Sequence, residues 1–262
     1  MKRIAVKIGS AVLTRTDGTL DVTRLSSLVD QVADLRHQGI EVILISSGAV
    51  ASGRGELHLS QQSTLEMDSV EQRQLFSAVG QAKLINRYYD FLREHHISVG
   101  QVLTQKNDFE SEEHRENMRR CMEVMLSHGV LPVVNENDTV CITELMFTDN
   151  DELSGLIAQL MGADTLILLS NVDGLYNGRP GDEGVQLIPR VEAGHDISEY
   201  IQTEKSGAGR GGMQSKCHTA QIVAAAGIDV FLARGTRDNV LVQLLSAPST
   251  VPHTHFVRTS SN

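Results

Sequence analysis

The chain has 262 residues, 40% of them hydrophobic, which is an ordinary globular composition for one large domain or two small ones. Its formal net charge of −10 at pH 7 argues against a sequence-independent grip on a nucleic-acid backbone, and the absence of Trp weakens any base-stacking surface. The three cysteines include no Cys-x-x-Cys pair, so they indicate neither a disulfide framework nor a zinc site and favour a cytoplasmic protein. The negative charge instead favours small-molecule partners, and no apolar run is long enough to cross a membrane.

Six short apolar runs are predicted to form buried strands, and longer segments with a helical period separate them. These runs cover residues 4–8, 42–45, 97–103, 130–134, 165–169 and 229–232. Repeated strand, helix, strand units predict an α/β fold, a three-layer α/β/α sandwich with a mainly parallel central sheet. In such sheets ligands bind beyond the carboxyl ends of the strands, so the polar residues that follow each strand are the candidates for a site.

Helical periodicity predicts the elements between the strands. A stripe of apolar residues between 25 and 35 predicts a helix that ends at Gly39. The segment 70–92 is expected to be helical, with a buried face made of Leu75, Val79, Ala82 and Leu92. Three spaced methionines, interpreted as core, predict another helix: Met118, Met122 and Met125. The last long helix is predicted over 213–226 and ends at Gly227.

Lysine, serine and glycine follow the first two predicted strands. Lys7 ends the first strand and precedes Gly9, and the second strand leads into Ser47 and Gly48. A lysine beside a glycine turn can neutralise a phosphate while the backbone approaches it, and a helix N-terminus offers N–H donors to an anion. A solvated lysine and an ordinary serine cap explain the same residues, so these two turns leave both interpretations open.

Two clusters of amide and carboxylate side chains follow the fourth predicted strand. Residues 135–139 read Asn-Glu-Asn-Asp-Thr, and residues 148–151 read Thr-Asp-Asn-Asp before a helix predicted over 152–161. Turns and helix caps use such residues, but a turn rarely needs four of them. Together they supply the acceptors and amide donors that would hold an amino acid's ammonium and carboxylate, so they predict a ligand site.

A glycine-rich segment spans residues 207–216 and contains Gly207, Gly209 and Gly212 in the pattern G-x-G-x-x-G. That pattern would suit a dinucleotide-binding oxidoreductase, but the preceding residues are polar and no predicted strand leads into the loop. A glycine loop, a helix start and Lys216 in its first turn instead predict a phosphate cradle with its own cation. Ser170 and Asn171, at the end of the fifth strand, mark another place where a nucleotide could lie, and Asp173 with Gly174 indicates a turn.

Taken together, seven segments resemble the glutamate 5-kinase branch of the amino acid kinase family: VKIGSAVLT, ILISSGAVASGR, QLFSAVGQAKLI, VLPVVNENDTV, TDNDELSGLIA, LLSNVDGLY and GRGGMQSKCHTA. The match runs in collinear order to about Phe256. It implies one kinase domain over 1–257 with a short tail over 258–262, a short form without the C-terminal PUA domain of many members.

The resemblance implies the use of ATP and Mg²⁺ to phosphorylate the γ-carboxylate of L-glutamate, giving L-glutamyl 5-phosphate in the first step of proline biosynthesis. It also implies proline as a feedback inhibitor and a homodimer or homotetramer, with no nucleic-acid or membrane partner. Alternatives are a family member with an acetylglutamate, aspartate or carbamate acceptor, or a catalytically silent amino-acid sensor on the same fold.

The resemblance also assigns roles to residues of this chain. Lys7 and Lys216 would neutralise the transferred phosphoryl group, and Asp151 would orient both lysines. The substrate-binding residues would be Ser47, Gly48, Asn135, Asp138, Asp149 and Asn150. The nucleotide-binding residues would be Lys7, Gly9, Ser170, Asn171, Arg210, Gly211, Gly212, Met213, Gln214, Ser215 and Lys216. No protein cage for Mg²⁺ is expected, since phosphates and water can hold that ion.

Three positions depart from the family pattern. Asn171 stands where Asp is usual and Arg210 where Thr is usual, which affects the expected nucleotide preference more than the transfer chemistry. The C-terminal G-T-x-F signature is replaced by Pro-His-Thr-His-Phe at 252–256, so the sequence does not predict where the last strand ends. His253 and His255 are expected to be surface or tail residues.

Overall fold

A computed structural model describes residues 2–57, 66–140, 150–200 and 212–259. Its strands are β1 (Arg3–Ile8), β2 (Glu41–Ser46), β3 (Val99–Thr104), β4 (Leu131–Glu136), β5 (Thr165–Ser170), β6 (Arg190–Val191), β7 (Asp229–Arg234) and β8 (His253–Phe256). Its helices are α1 (Ser10–Leu13), α2 (Val22–His37), α3 (Ala49–Leu57), α4 (Ser69–Arg93), α5 (Glu112–Ser127), α6 (Asn150–Leu160), α7 (Met213–Ala225) and α8 (Val240–Ser246). Short 3-10 turns cover Lys106–Phe109 and Pro248–Thr250.

The eight strands form one sheet in the order β3-β4-β2-β1-β5-β7-β8-β6, and every pairing is parallel except that of β7 with β8. Helices cover both faces, which is why the central strands are apolar throughout rather than alternating. Along β1, Ile4, Val6 and Ile8 join the core under α2 and α4, whereas Ala5 joins the core under α6 and α7. The predicted three-layer α/β/α fold is confirmed. In the part of the chain described, no helix is both long and apolar enough to span a bilayer.

The register of the parallel strands brings the predicted site segments to one edge. Ile8 pairs with Ser46 on β2 and with Leu169 on β5, and Ile45 pairs with Val134 on β4. The turns after β1, β2, β4 and β5 therefore lie side by side, as the sequence predicts for the carboxyl ends of parallel strands.

The predicted buried face of the segment 70–92 is confirmed only at Leu92 and is wrong at Leu75, Val79 and Ala82. On α4 the buried residues are Phe76, Ser77, Gly80, Leu84, Tyr88 and Leu92, and Leu75 is 37% exposed. The reason is a close crossing with α3: a Cβ on Gly80 would lie 1.8 Å from the carbonyl oxygen of Ala49. Because only glycine fits at this crossing, the face of α4 that contains Gly80 packs against α3 and is buried. Apolar periodicity alone does not predict such a contact.

The last strand forms despite the altered C-terminal signature, and His253 and His255, expected to be surface or tail residues, are half-buried residues of that strand. Both belong to β8, which pairs antiparallel with β7. The His255 ring stacks on Phe231 with 4.5 Å between ring centroids, and its Nε2 lies 2.8 Å from Oδ1 of Asp229. A four-residue strand with alternating histidines lacks the apolar run that identified the other strands.

Candidate active site

Lys7, Asp151 and Lys216 form a buried ionic cluster at the carboxyl edge of the sheet. Lys7 Nζ, from β1, lies 2.6 Å from Oδ1 of Asp151, and Lys216 Nζ, from the first turn of α7, lies 2.9 Å from Oδ2. Asp151 sits in the first turn of α6 and is fully buried, while the two lysines are 4% and 8% exposed. The predicted bridging of the two lysines by Asp151 is thus present as geometry.

The charge state of Asp151 follows from its neighbours. Burial raises the pKa of a carboxyl group, but the ammonium groups of Lys7 and Lys216 outweigh that effect and hold the pKa of Asp151 below its ordinary value. The carboxylate is therefore ionised at neutral pH, and the three side chains together carry one net positive charge. This fixed positive charge at a sheet edge can stabilise negative charge on a bound group.

Asn135, Asn150 and Ser47 form a second, uncharged cluster at the same edge. The Asn150 Nδ2 group donates to Ser47 Oγ at 3.0 Å and to Asn135 Oδ1 at 3.1 Å. These residues come from the start of α6, the turn after β2 and the end of β4. Of the predicted substrate-binding residues, the structure brings these three together. Asp149 lies outside the described residues.

Asp138 lies beside this cluster in an ionic contact that the sequence did not reveal. Arg73 Nε donates to Asp138 Oδ1 at 2.6 Å, and Arg73 Nη2 donates to Glu136 Oε2 at 2.5 Å. Ser77 Oγ donates to Asp138 Oδ2 at 3.1 Å, and Asn135 Nδ2 donates to Gln81 Oε1 at 3.0 Å. Polar residues at the i, i+4 and i+8 positions of one helix would have pointed to this stripe.

The glycines that follow β1 and β2 allow close approach of neighbouring groups and a left-handed backbone turn. The Gly9 N–H donates to Leu169 O at 3.2 Å, and the Ser47 N–H donates to Ile8 O at 3.2 Å, so both amides bond to neighbouring strands. A Cβ at Gly9 would lie 2.9 Å from Leu169 O and 3.5 Å from Lys7 Nζ, so glycine leaves room around the lysine. Gly48 has φ +110°, a left-handed conformation that favours glycine directly before α3.

The predicted nucleotide residues are partly described. Ser170 ends β5 and is buried, and its Oγ donates to Asn171 Oδ1 at 3.3 Å. Gly212 precedes α7, and Met213, Gln214, Ser215 and Lys216 form its first turn. Arg210 and Gly211 lie outside the described residues. The described part therefore places a helix N-terminus carrying Lys216 opposite the end of β1.

A second ionic cluster involves Asp173, which the sequence indicated only as part of a turn. Arg237 Nε lies 2.6 Å and Arg234 Nε 3.1 Å from Oδ1 of Asp173. Burial opposes ionisation, but hydrogen bonds from Arg237 and Arg234 hold the pKa of Asp173 below its ordinary value. Since Arg234 ends β7 and Gly235 N–H donates to Ser170 O at 2.8 Å, this cluster borders the proposed nucleotide side.

Comparisons with known proteins give a consistent result. The sequence model of the amino acid kinase family matches residues 2–234. A glutamate 5-kinase of Bacteroides thetaiotaomicron is 60% identical over 97% of this chain and 70% of its own length. A glutamate 5-kinase of Chlorobaculum tepidum is 47% identical over 92% of this chain and 65% of its own, so this chain spans less than two thirds of that relative. A glutamate 5-kinase of Symbiobacterium thermophilum is 42% identical over 94% and 92%.

Two solved structures share the fold at low sequence identity. UMP kinase from Ureaplasma parvum superposes with a TM-score of 0.63 at 16% identity, covering 98% of this chain and 99% of the other. Isopentenyl phosphate kinase superposes with a TM-score of 0.67 at 15% identity, covering 97% and 100%. At such identities these likenesses establish the fold alone.

Proposed function

Because this chain belongs to the amino acid kinase family and aligns along most of its length with glutamate 5-kinases, we propose that it phosphorylates the γ-carboxylate of L-glutamate. The phosphoryl donor is ATP, and the product is L-glutamyl 5-phosphate, formed in the first step of proline biosynthesis. One observation carries the chemistry, namely the bridging of Lys7 and Lys216 by the buried carboxylate of Asp151.

The reaction requires charge neutralisation more than proton transfer. A γ-carboxylate is already ionised at neutral pH, so an oxygen of that group can attack the γ-phosphorus of ATP without a general base. The new P–O bond forms as the bond to the β,γ-bridging oxygen breaks, and ADP leaves with that electron pair. The transition state spreads negative charge over the phosphoryl oxygens, and two fixed ammonium groups would stabilise this charge.

Asp151 would hold the two lysines in place without competing for the phosphoryl group. Without a carboxylate between them, two ammonium groups so close together would repel each other and move apart. With it, each lysine keeps a fixed position. Positioning of this kind, completed before the reaction begins, is the main contribution that a protein makes to phosphoryl transfer.

The acceptor would lie against Ser47, Gly48, Asn135, Asp138, Asp149 and Asn150. The hydrogen bonds that join Asn150 to Asn135 and Ser47 already form one polar surface for such a ligand. The nucleotide would lie against Gly9, Ser170, Asn171 and residues 210–216. Mg²⁺ would neutralise further charge on the nucleotide. It would be held mainly by the nucleotide phosphates and water, because Asp151 and Asp173 are each already paired with two cationic side chains.

Further proposals concern the whole protein. Residues 1–257 would form one kinase domain, and the protein would assemble as a homodimer or homotetramer inhibited by proline at the glutamate site. A cytoplasmic location suits the described cysteines, Cys121 and Cys217, which are both free thiols.

The direct test is an ADP-release assay with Mg-ATP and L-glutamate. We expect glutamate-dependent turnover that exceeds turnover with N-acetylglutamate, aspartate or carbamate. Preference for one of those acceptors would reassign the substrate. Binding of glutamate or proline without ATP turnover would instead identify an amino-acid sensor on the same fold.

A further inference from the structure

Helix α4 presents a stripe of three polar side chains to the segment that follows β4. Arg73, Ser77 and Gln81 are spaced at i, i+4 and i+8, which places them on one face of the helix. Each of them is hydrogen-bonded to a residue between 135 and 138. Three positions of one helix face are thus hydrogen-bonded to one short segment.

The cluster formed by Arg73, Glu136 and Asp138 is negatively charged and can attract a cationic group. The carboxylates of Glu136 and Asp138 are 3% and 8% exposed, and both accept hydrogen bonds from the one guanidinium of Arg73. Together the three side chains carry one net negative charge. Two buried carboxylates without a cation between them would repel each other, and the guanidinium of Arg73 supplies that cation.

The geometry of Asp138 is fixed from two sides. Its Oδ1 accepts from Arg73 Nε at 2.6 Å and its Oδ2 accepts from Ser77 Oγ at 3.1 Å, so the plane of the carboxylate is defined. The planar guanidinium reaches Glu136 with a second nitrogen, which a single lysine ammonium cannot reproduce in the same geometry.

The cluster is continuous with the amide groups of the proposed acceptor site. Asn135 Oδ1 accepts from the Glu136 N–H at 2.9 Å and from Asn150 Nδ2 at 3.1 Å. A ligand lying on Asn135 and Asn150 therefore has the negative cluster at one end. Asn150 is also adjacent in the chain to Asp151, whose carboxylate holds Lys7 and Lys216, so the positive cluster begins one residue further along α6.

We propose that Arg73 is a positioning residue that orients Asp138 toward the α-ammonium of the acceptor and so makes the site select acceptors with a free α-amino group. This inference rests on the proposed function and assigns a chemical basis to its substrate preference. An acceptor without the amino group leaves the net negative charge of the Arg73, Glu136 and Asp138 cluster without a counter-charge from the ligand, and such a mismatch lowers affinity strongly.

The test compares L-glutamate with glutarate, which has the same carbon chain and no amino group. Binding of each is measured by isothermal titration calorimetry without nucleotide, and kcat and KM are measured for glutamate and ATP. The proteins are the full-length wild type, Arg73→Gln, Arg73→Lys and a matched control, Arg87→Gln. Arg87 lies on the exposed side of the same helix, so its substitution makes the same chemical change away from the cluster.

We expect wild type to bind L-glutamate about 100-fold or more tightly than glutarate, and Arg73→Gln to reduce this ratio about tenfold or more. The KM for glutamate should rise while the KM for ATP stays unchanged. Arg73→Lys keeps the positive charge but loses the planar guanidinium with its two donor nitrogens, so it should retain part of the preference for glutamate over glutarate. Arg87→Gln should match wild type.

Equal losses of glutamate and glutarate affinity in Arg73→Gln and Arg73→Lys would show a purely structural role and overturn the proposal. A wild type that does not prefer glutamate over glutarate would overturn it as well, whatever its turnover. Absence of glutamate turnover combined with the expected change in the binding ratio would overturn the proposed kinase activity and support the role of Arg73.

Discussion

Lys216 Nζ lies 2.9 Å from Oδ2 of Asp151, although 65 residues separate them in the chain. The contact joins the first turns of α6 and α7, and the opposite oxygen of the same carboxylate meets Lys7 of β1. One buried carboxylate thus connects three elements.

Substitution Lys216→Ala should lower kcat about 100-fold to 1000-fold, because a cation aimed at developing phosphoryl charge acts mainly in the transition state. Steady-state ADP release measures the loss, and circular dichroism checks the fold. The control is Lys83→Ala, since Lys83 is half exposed and its ammonium lies 3.0 Å from the half-exposed carboxylate of Glu56. A wild-type rate in Lys216→Ala would remove this lysine from the mechanism.

Asp151→Asn should destabilise the protein by about 3–5 kcal/mol at neutral pH, because it leaves two buried ammonium groups without their counter-charge. The pKa of Asp151 is lower in the folded state, so the carboxylate stabilises the fold above its unfolded-state pKa. That contribution is lost as the pH falls through the folded-state pKa. Urea unfolding should therefore show a gap between the free energies of unfolding of wild type and variant at pH 7, and this gap should narrow below about pH 4. A gap that does not change with pH would contradict the ionic explanation.

Gly53→Ala should destabilise the protein by about 1–3 kcal/mol or more, since the added Cβ would lie 1.9 Å from the carbonyl oxygen of Phe76 on α4. The matched control is Gly55→Ala on the same helix, where the Cβ meets only the Thr19 side chain at 3.7 Å. That control should be neutral or stabilising by up to about 1 kcal/mol, because alanine favours helix. Thermal unfolding of both variants provides the comparison. Equal effects would mean that the α3–α4 crossing tolerates a methyl group.

Cys217 should be unreactive in the native protein, because burial raises the pKa of its thiol to about 12. Cys121 is exposed and should react readily. In a Cys141→Ser background, titration with a thiol-specific chromogenic disulfide should detect one thiol under native conditions and two in denaturant. Two reactive thiols without denaturant would show that α7 opens easily around Cys217.

Much of the fold could be predicted from the sequence because its signals are local. The parallel strands are unbroken apolar runs, and residues such as Gly39 and Gly227, both with positive φ, end helices as expected. The apolar pattern missed two strands, the two-residue β6 at Arg190–Val191 and β8 at His253–Phe256. Strand β8 contains alternating histidines and pairs antiparallel with β7. Its strand character depends on β7, a neighbour that no local pattern specifies.

The sequence by itself determined which polar residues follow each strand, and therefore that Lys7, Asn135, Asp138 and Asp151 belong to one edge of a parallel sheet. Only the tertiary structure decided which of them touch. Asp151 meets both lysines, and Asn150 meets Asn135 and Ser47. Arg73, which lies outside the seven segments that carry the family resemblance, reaches Asp138 from α4. Strand ends are set by local pattern, whereas the distance between two side chains depends on how the helices pack, here on glycines that let α3 and α4 approach backbone to backbone.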